Sequence, residues 1–456
     1  MMRIITCKHK LFITAILSAT VLSCSDVSVQ NHEITGKPIE LKEPVTVNWI
    51  GQWKNEGLKE KLVKDIARQF EFENPDIKVN LQFPQDIFVD VPNEIRYYYS
   101  IITAEKSEWD LLRINDGAEE LSSYSSDPDF LSKNLVDFKN DKEFIANHIP
   151  GAFKTIGFNE KWNNIIPGTA LDGADGVLWC NMEVAKEIGI EPKQFGMTFD
   201  DFKSYLKALY EYNQKNNTNI IGILDVTSWT LFNMIPQQLF QSEVGNYESL
   251  IDGQFSTQKW NAFEKTVRAL ASLAPYQPVE KNVSYSWDTD KIVPLQGKCL
   301  FYPQASYCYN LWLEMDSLAE SKMRPMQLPE FKPSVSYPGV YAIQWIIPQN
   351  SPHKEQAIRL MKFIATPEVG DKWVRYAKSP SGVKNTLVST RMGMDPYENY
   401  DYTITSKFGE HKVPWALTTN WFLGDKNSNI SLNFKSLLTG EITADDFIKQ
   451  VKSKLK

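Results

Sequence analysis

The hydrophobic period of this chain changes twice between residues 45 and 83, and that change limits the folds open to it. Residues 45–50, VTVNWI, alternate as a strand does, while Leu58, Leu62, Ile66 and Phe70 in EGLKEKLVKDIARQFEF recur every four positions and form one helical stripe. Asn74-Pro75-Asp76 stops the helix, after which Ile77, Val79, Leu81 and Phe83 alternate again. A strand, a helix and a strand in that order predict a right-handed crossover and a mostly parallel sheet with helices on its faces. The expected class is therefore α/β.

Later segments repeat the alternation. WDLLRI (109–114) reads as a strand opening into Asn115-Asp116-Gly117, a turn at a strand's carboxyl end, where open α/β sheets hold ligands. In TFDDFKSYLKALYEY (198–212) Thr198 caps a helix with Asp201 three residues on, and Phe202, Leu206, Leu209 and Tyr210 form its apolar face. YAIQWII (341–347) reads as one strand, 353–376 as a long helix interrupted at Thr366-Pro367, and 443–455 as a helix capped by Thr443. With 456 residues, 42% of them apolar, the chain is large enough for two or three domains and is not a disordered or disulfide-framed sequence. Its 49 Lys and Arg against 56 Asp and Glu give −7, and no basic run of five occurs, which argues against nucleic acid as a partner.

The first residues set the compartment. Arg3, Lys8 and Lys10 precede an unbroken apolar and small-residue run, LFITAILSATVL, ending at Ser23-Cys24, the pattern of a secretory leader too short to span a bilayer as a helix. Val21-Leu22-Ser23-Cys24 resembles a bacterial lipobox, in which the cysteine is acylated and becomes the new N-terminus. On this reading residues 1–23 are a lipoprotein signal peptide, 24–44 a polar tether, and the mature chain an extracytoplasmic, membrane-anchored protein of the periplasm or cell surface. Cys180, Cys299 and Cys308 show no metal or redox spacing. They are expected to be buried thiols, with a Cys299–Cys308 disulfide as the minority alternative. Neither metal nor cofactor is expected.

Six segments in register resemble the extracellular solute-binding proteins of bacterial ABC importers, in the sugar-binding family that includes maltose-binding protein. They are FEFENPDIKVNLQF, WDLLRINDG, LWCNMEVAKEIGIEPKQFGMTFDDFKSYLKAL, LQGKCLFYPQASY, YPGVYAIQWIIPQNSPHKEQAIRLMKFIATPEVGDKW and GEITADDFIKQVKSKL. Departures include Trp179-Cys180 before Asn181 and Tyr302-Pro303-Gln304 in place of a Gly-rich turn. The resemblance implies a type II periplasmic-binding-protein fold, two discontinuous α/β lobes joined by a hinge with a ligand cleft between them. Carried over, lobe one is 45–166 plus 340–380 and lobe two 167–339 plus 381–456. It also implies capture of a carbohydrate, an oligosaccharide by expectation, by a monomer that delivers it to the transmembrane subunits of an ABC permease.

A sugar offers hydroxyls and an apolar face, so its site needs aromatic plates and planar polar side chains. Stacking one face removes roughly 100 Å² from water and is worth about 2.5 kcal/mol. The 13 Trp exceed what core packing needs. The ligand-binding candidates in lobe one are Trp53, with Gln52 and Asn55, and Asn115 and Asp116. In lobe two they are Asp172, Trp229 after Ser228, Gln304, Tyr307, Trp415 and Trp421, with Gly339 and Tyr341 at the second crossing as hinge and cleft floor. Trp49, Trp162, Trp260, Trp345 and Trp373 sit in apolar patterns and are expected in the core.

An enzyme is not expected. A glycoside hydrolase needs two facing carboxylates, whereas Glu56, Glu60, Asp65, Glu73, Asp200 and Asp201 fall on helix faces or caps, where solvation or capping explains them. No nucleophile-elbow, zincin or P-loop pattern occurs. The other alternative is a lipoprotein that captures glycans at the surface or reports ligand to a signalling partner.

Overall fold

The computed structural model describes residues 43–88, 93–114, 118–153, 162–224, 233–281, 291–342, 345–384, 395–414, 422–423 and 432–455. The expected signal peptide, Cys24 and the expected tether up to residue 42 lie outside them. Among the described residues no helix is long and apolar enough to cross a membrane.

The chain opens as its periodicity predicts. β1 (Val45–Ile50), α1 (Leu58–Glu73) and β2 (Ile77–Gln82) form a crossover unit whose strands pair in parallel, Val45 opposite Ile77 and Ile50 opposite Gln82. Leu62, Val63, Ile66, Ala67 and Phe70 are the buried stripe of α1. α2 (Glu94–Thr103) follows, and then β3, which is only Leu112–Arg113, joined to β1 through a parallel bridge between Leu111 and Trp49. β4 (Asp172–Asn181) is the long strand of a second sheet. α3 (Phe199–Asn216) carries the expected capping box, in which the Thr198 hydroxyl accepts from the Asp201 N–H and the Asp201 carboxylate accepts from the Thr198 N–H.

β5 (Ile221–Ile223), β6 (Cys299–Ala305), α4 (Cys308–Met315), β7 (Met323–Met326) and β8 (Tyr337–Ala342) continue this region. Then come β9 (Trp345–Ile346), α5 (Lys354–Ile364), α6 (Pro396–Phe408), β10 (Lys412–Val413) and α7 (Ala444–Lys454). The second sheet has the order β10-β8-β4-β6-β5, with β7 also paired to β4.

The apolar run YAIQWII departs from expectation, because it is two strands. β8 pairs with the first half of β4, Asp172 opposite Ala342, whereas β9 pairs with β3, Ile346 opposite Leu112. Tyr341 in the first strand and Trp345 and Ile346 in the second are all buried. The long helix pattern breaks at Pro367, which has no N–H to give to the preceding turn. A widened turn at Trp373–Ala377 then ends at Lys378, φ 50°.

Two lobes have separate cores. One gathers Val177–Cys180, Phe202, Leu206, Phe240, Phe263, Phe301, Trp312, Phe434 and Phe447. The other is a pair of adjoining clusters, one around Trp49, Trp53, Phe70, Trp345 and Trp373, the second around Tyr98, Leu112, Trp162 and Ile346. Trp49, Trp162, Trp345 and Trp373 are buried as expected, and Trp260 is half-buried against the second core. Cys180, Cys299 and Cys308 are free and buried, so the disulfide alternative does not hold. Burial pushes all three thiols up, which keeps them protonated and inert.

Candidate functional site

The loop after β1 is held in a conformation that side chains rarely adopt. Trp53, Asn55 and Gly57 have φ of 73°, 62° and 50°. It turns Trp53 inward. The indole is 2% exposed, lies 4.5 Å from the Trp373 ring and 5.4 Å from the Trp345 ring, and donates its N–H to Asp172 Oδ2 at 3.2 Å.

Asp172 collects donors from every nearby segment. Besides Trp53, Lys59 Nζ reaches Oδ2 at 3.2 Å, while the Trp373 indole and the Ser379 hydroxyl donate to Oδ1 at 3.1 and 2.8 Å. The two sequence candidates Trp53 and Asp172 are thus brought together, but on one another, where the loop after β1 meets the start of β4. Neither the indole N–H nor the carboxylate is free in this conformation.

Glu56 differs from its expectation. It precedes α1 instead of lying on its solvated face, and it is half-buried. Burial first, and then the charge of Asp172, hold its carboxyl above the usual range, with Lys59 and Arg113 opposing. Both cations are engaged elsewhere. Arg113 donates to both Glu94 oxygens at 2.7 Å and, through Nη1, to Gln52 Oε1 at 3.0 Å. That bond fixes the acceptor end of the Gln52 amide. Asn115 and Asp116, just beyond Arg113, lie outside the described residues.

From the second lobe, Gln304 is fully buried at the end of β6. Its Oε1 accepts from the Ala305 N–H at 2.8 Å and from the Tyr307 hydroxyl at 3.2 Å, and its Nε2 donates to the Tyr302 hydroxyl at 3.2 Å. Tyr307 is half-buried at the start of α4. Burial raises its phenol, with Cys308 and Glu56 adding. The turn after β6 therefore stands close to the loop after β1, each at the carboxyl end of its strand. Lys61 Nζ, 3.9 Å from Glu314 Oε1, extends the approach along α4.

Tyr341 lies at the crossing of β8 with its ring 4.0 Å beneath Lys412 Nζ, and that ammonium covers one ring face. Gly339, also on β8, leaves room there, since a Cβ would stand 2.6 Å from Asp175 Oδ1. Trp229 with Ser228, Trp415 and Trp421 lie outside the described residues. Among the described residues no group of three or more His, Cys, Asp and Glu is placed to hold a metal ion.

Sequence reasoning passed over Lys59, Arg113, Asn310 and Glu314. For Lys59 a signal existed, because it stands four, seven and eleven residues before Val63, Ile66 and Phe70, inside the buried stripe of α1, where a lysine requires a partner. For Arg113 none did, because its carboxylate comes from a helix 19 residues upstream.

Two α/β lobes with separate cores and strand-end loops that approach one another define a type II periplasmic-binding-protein fold. Residues 152–371 match the family model for bacterial extracellular solute-binding proteins. Solved structures agree on the fold. The apo form of RafE from Streptococcus pneumoniae is 17% identical with a TM-score of 0.63, over 91% of this chain and 97% of that one. RafE in complex with raffinose gives 17%, 0.59, 90% and 98%. Lmo0181 from Listeria monocytogenes in complex with cycloalternan gives 16%, 0.56, 91% and 98%. No curated protein matches the sequence.

Proposed function

We propose that this chain captures a carbohydrate, an oligosaccharide, between its two lobes and delivers it to an ABC importer, tethered to the membrane through lipid on Cys24. The observation that carries the reading is the approach of the strand-end loops of the two lobes, with Gln52 and Glu56 on one side and Gln304 and Tyr307 on the other. Planar amides, a carboxylate and a phenol suit a ligand made of hydroxyls. Relatives of the same fold hold raffinose and cycloalternan, which supports the choice of sugar. The lobes in this reading are 45–166 with 340–380 and 167–339 with 381–456. Delivery is the whole activity, with no chemistry on the ligand.

The test is a panel of neutral mono- and oligosaccharides, followed by melting temperature and tryptophan fluorescence, with the same mixtures assayed for product. A ligand at 100 times its Kd stabilises the folded state by about 2.7 kcal/mol. Stabilisation by one ligand family without product is the expected outcome, and turnover would replace the reading with a hydrolase. Trp229→Ala and Trp421→Ala are each expected to weaken binding tenfold or more with the fold intact. Cys24→Ala is expected to release the protein from membranes.

A further inference from the structure

The side of α4 that faces α1 carries three polar groups, and one of them, Asn310, has no hydrogen-bond partner among the described residues. Tyr307, Asn310 and Glu314 are three and four residues apart and share one helical side, whereas Cys308, Tyr309 and Trp312 occupy the other and pack into the second lobe's core. Glu314 reaches the other lobe at Gly57, where a Cβ would stand 2.1 Å from its carboxylate. Gly57 has φ 50° as well, so both its backbone and its surroundings call for glycine. Tyr307, at the opposite end, has Glu56 among its charged neighbours.

Asn310 lies between these two contacts. It is 2% exposed, and among the described residues neither its amide oxygen nor its amide nitrogen has a hydrogen-bond partner. A desolvated amide with both ends unpaired is costly and uncommon in a folded protein. On the lobe-one side of the same seam, Glu56 accepts no side-chain hydrogen bond among the described residues, and the cations near it belong to Asp172 and Glu94.

We propose that Asn310 and Glu56 form a polar slot of the cleft that reads adjacent hydroxyls of a neutral sugar and turns acidic sugars away. The proposal rests on the carbohydrate reading above. An amide donates and accepts in one plane, which matches two neighbouring hydroxyls, one giving a proton and the other receiving one. Glu56 adds an acceptor. The selection against acids follows from charge, since Glu56, Glu94, Asp172 and Glu314 outnumber Lys59, Lys61 and Arg113, and each of those three cations already serves a carboxylate. An incoming uronate would meet the Glu56 carboxylate beside cations that are already engaged.

The experiment uses the full chain and two substitutions. Asn310→Leu keeps the volume and removes the amide. Without any sugar it is expected to melt at or above the wild-type temperature, because no hydrogen bond is lost. A clear fall in melting temperature would show that the amide is a structural group and overturn the slot. In calorimetric titrations with raffinose, stachyose, maltotriose and trigalacturonate, Asn310→Leu is expected to weaken the neutral sugar that binds wild type by at least tenfold. Unchanged affinity overturns the proposal. Glu56→Gln is expected to narrow the preference for that neutral sugar over trigalacturonate by at least tenfold, and equal binding of the two by wild type counts against the charge argument. If wild type binds none of the four, the sugar assignment is overturned, while the sugar-free melting temperatures still decide whether Asn310 is an unpaired group.

Discussion

Two aspartates three residues apart on β4 are both buried, and they are held in opposite ways. Asp172 accepts from two indoles, a hydroxyl and an ammonium, all between 2.8 and 3.2 Å. Asp175 has a single cation, Lys412, at 2.6 Å, and beyond it a second acid, Asp401, with Tyr337, Tyr397 and Tyr400 close by. The first carboxylate is fixed by direction, by four donors on two stretches of chain, 53–59 and 373–379. The second is fixed by charge, in a place that water does not reach. Neutral donors hold their geometry when one is lost, whereas an ion whose one counter-ion is lost has nothing left to answer its charge.

The largest consequence should follow from removing that counter-ion. Lys412→Met would leave Asp175 buried beside Asp401 with no cation, and a loss of about 3–5 kcal/mol in folding stability is expected from urea unfolding. A loss below about 1 kcal/mol would mean that Asp175 is as well served as Asp172, and the contrast between them would fall.

Asp401 gives the same cluster a pH signature. Burial and then the charge of Asp175 push its carboxyl up to about 8, Lys412 opposing. The folded value lies above the unfolded one, so the stabilisation from the neutral carboxyl is complete below about pH 4 and is lost as pH rises through 8. Asp401→Asn should therefore flatten the dependence of melting temperature on pH between 4 and 8. An unchanged slope would show that Asp401 is ionised throughout.

His148 sharpens the comparison from the Asp172 side, because it too is held by directed bonds near the crossings. Its Nδ1–H donates to the Phe144 carbonyl at 2.7 Å, and its Nε2 accepts from the Thr169 hydroxyl at 3.1 Å and the Ala170 N–H at 3.4 Å. Only the neutral ring can do this. Burial lowers its pKa from 6.5 to about 4, so the contribution is present above 6.5 and lost as pH falls through 4. On the order of 3 kcal/mol of stability should disappear over that window. His148→Gln should cost stability at pH 7 and remove this part of the acid slope; a slope identical to wild type would rule the ring out as its source.

How much of this was legible beforehand follows from the range of the forces involved. The crossover unit, the capping box at Thr198 and the helix break at Pro367 depend on neighbours a few residues apart, and the sequence carries them as periodicity and caps. The split of YAIQWII into two strands did not show, because an apolar run looks the same whether one sheet covers it or two. Asp172 and Trp53 could be singled out, but not paired, since 119 residues separate them. Glu56 was misread by two residues: α1 starts at Leu58, the first residue of the stripe, so Glu56 lies in the loop before the helix and not on its solvated face.

The smallest expected effect is the most direct comparison of the two acids. Lys59 is the ammonium of the Asp172 group as Lys412 is that of Asp175, and both are buried. Lys59→Met removes one of the four bonds and leaves the Trp53, Trp373 and Ser379 donors in place. The expected loss is about 1.5–3 kcal/mol, the range for one hydrogen bond to a charged group, and less than for Lys412→Met in the same buffer. If the two losses are equal, the indoles and the hydroxyl contribute nothing that a bare ion pair lacks. If Lys59→Met costs less, the loop after β1 is held to the crossing strands chiefly by Trp53, and a change at that indole would move the whole cleft edge.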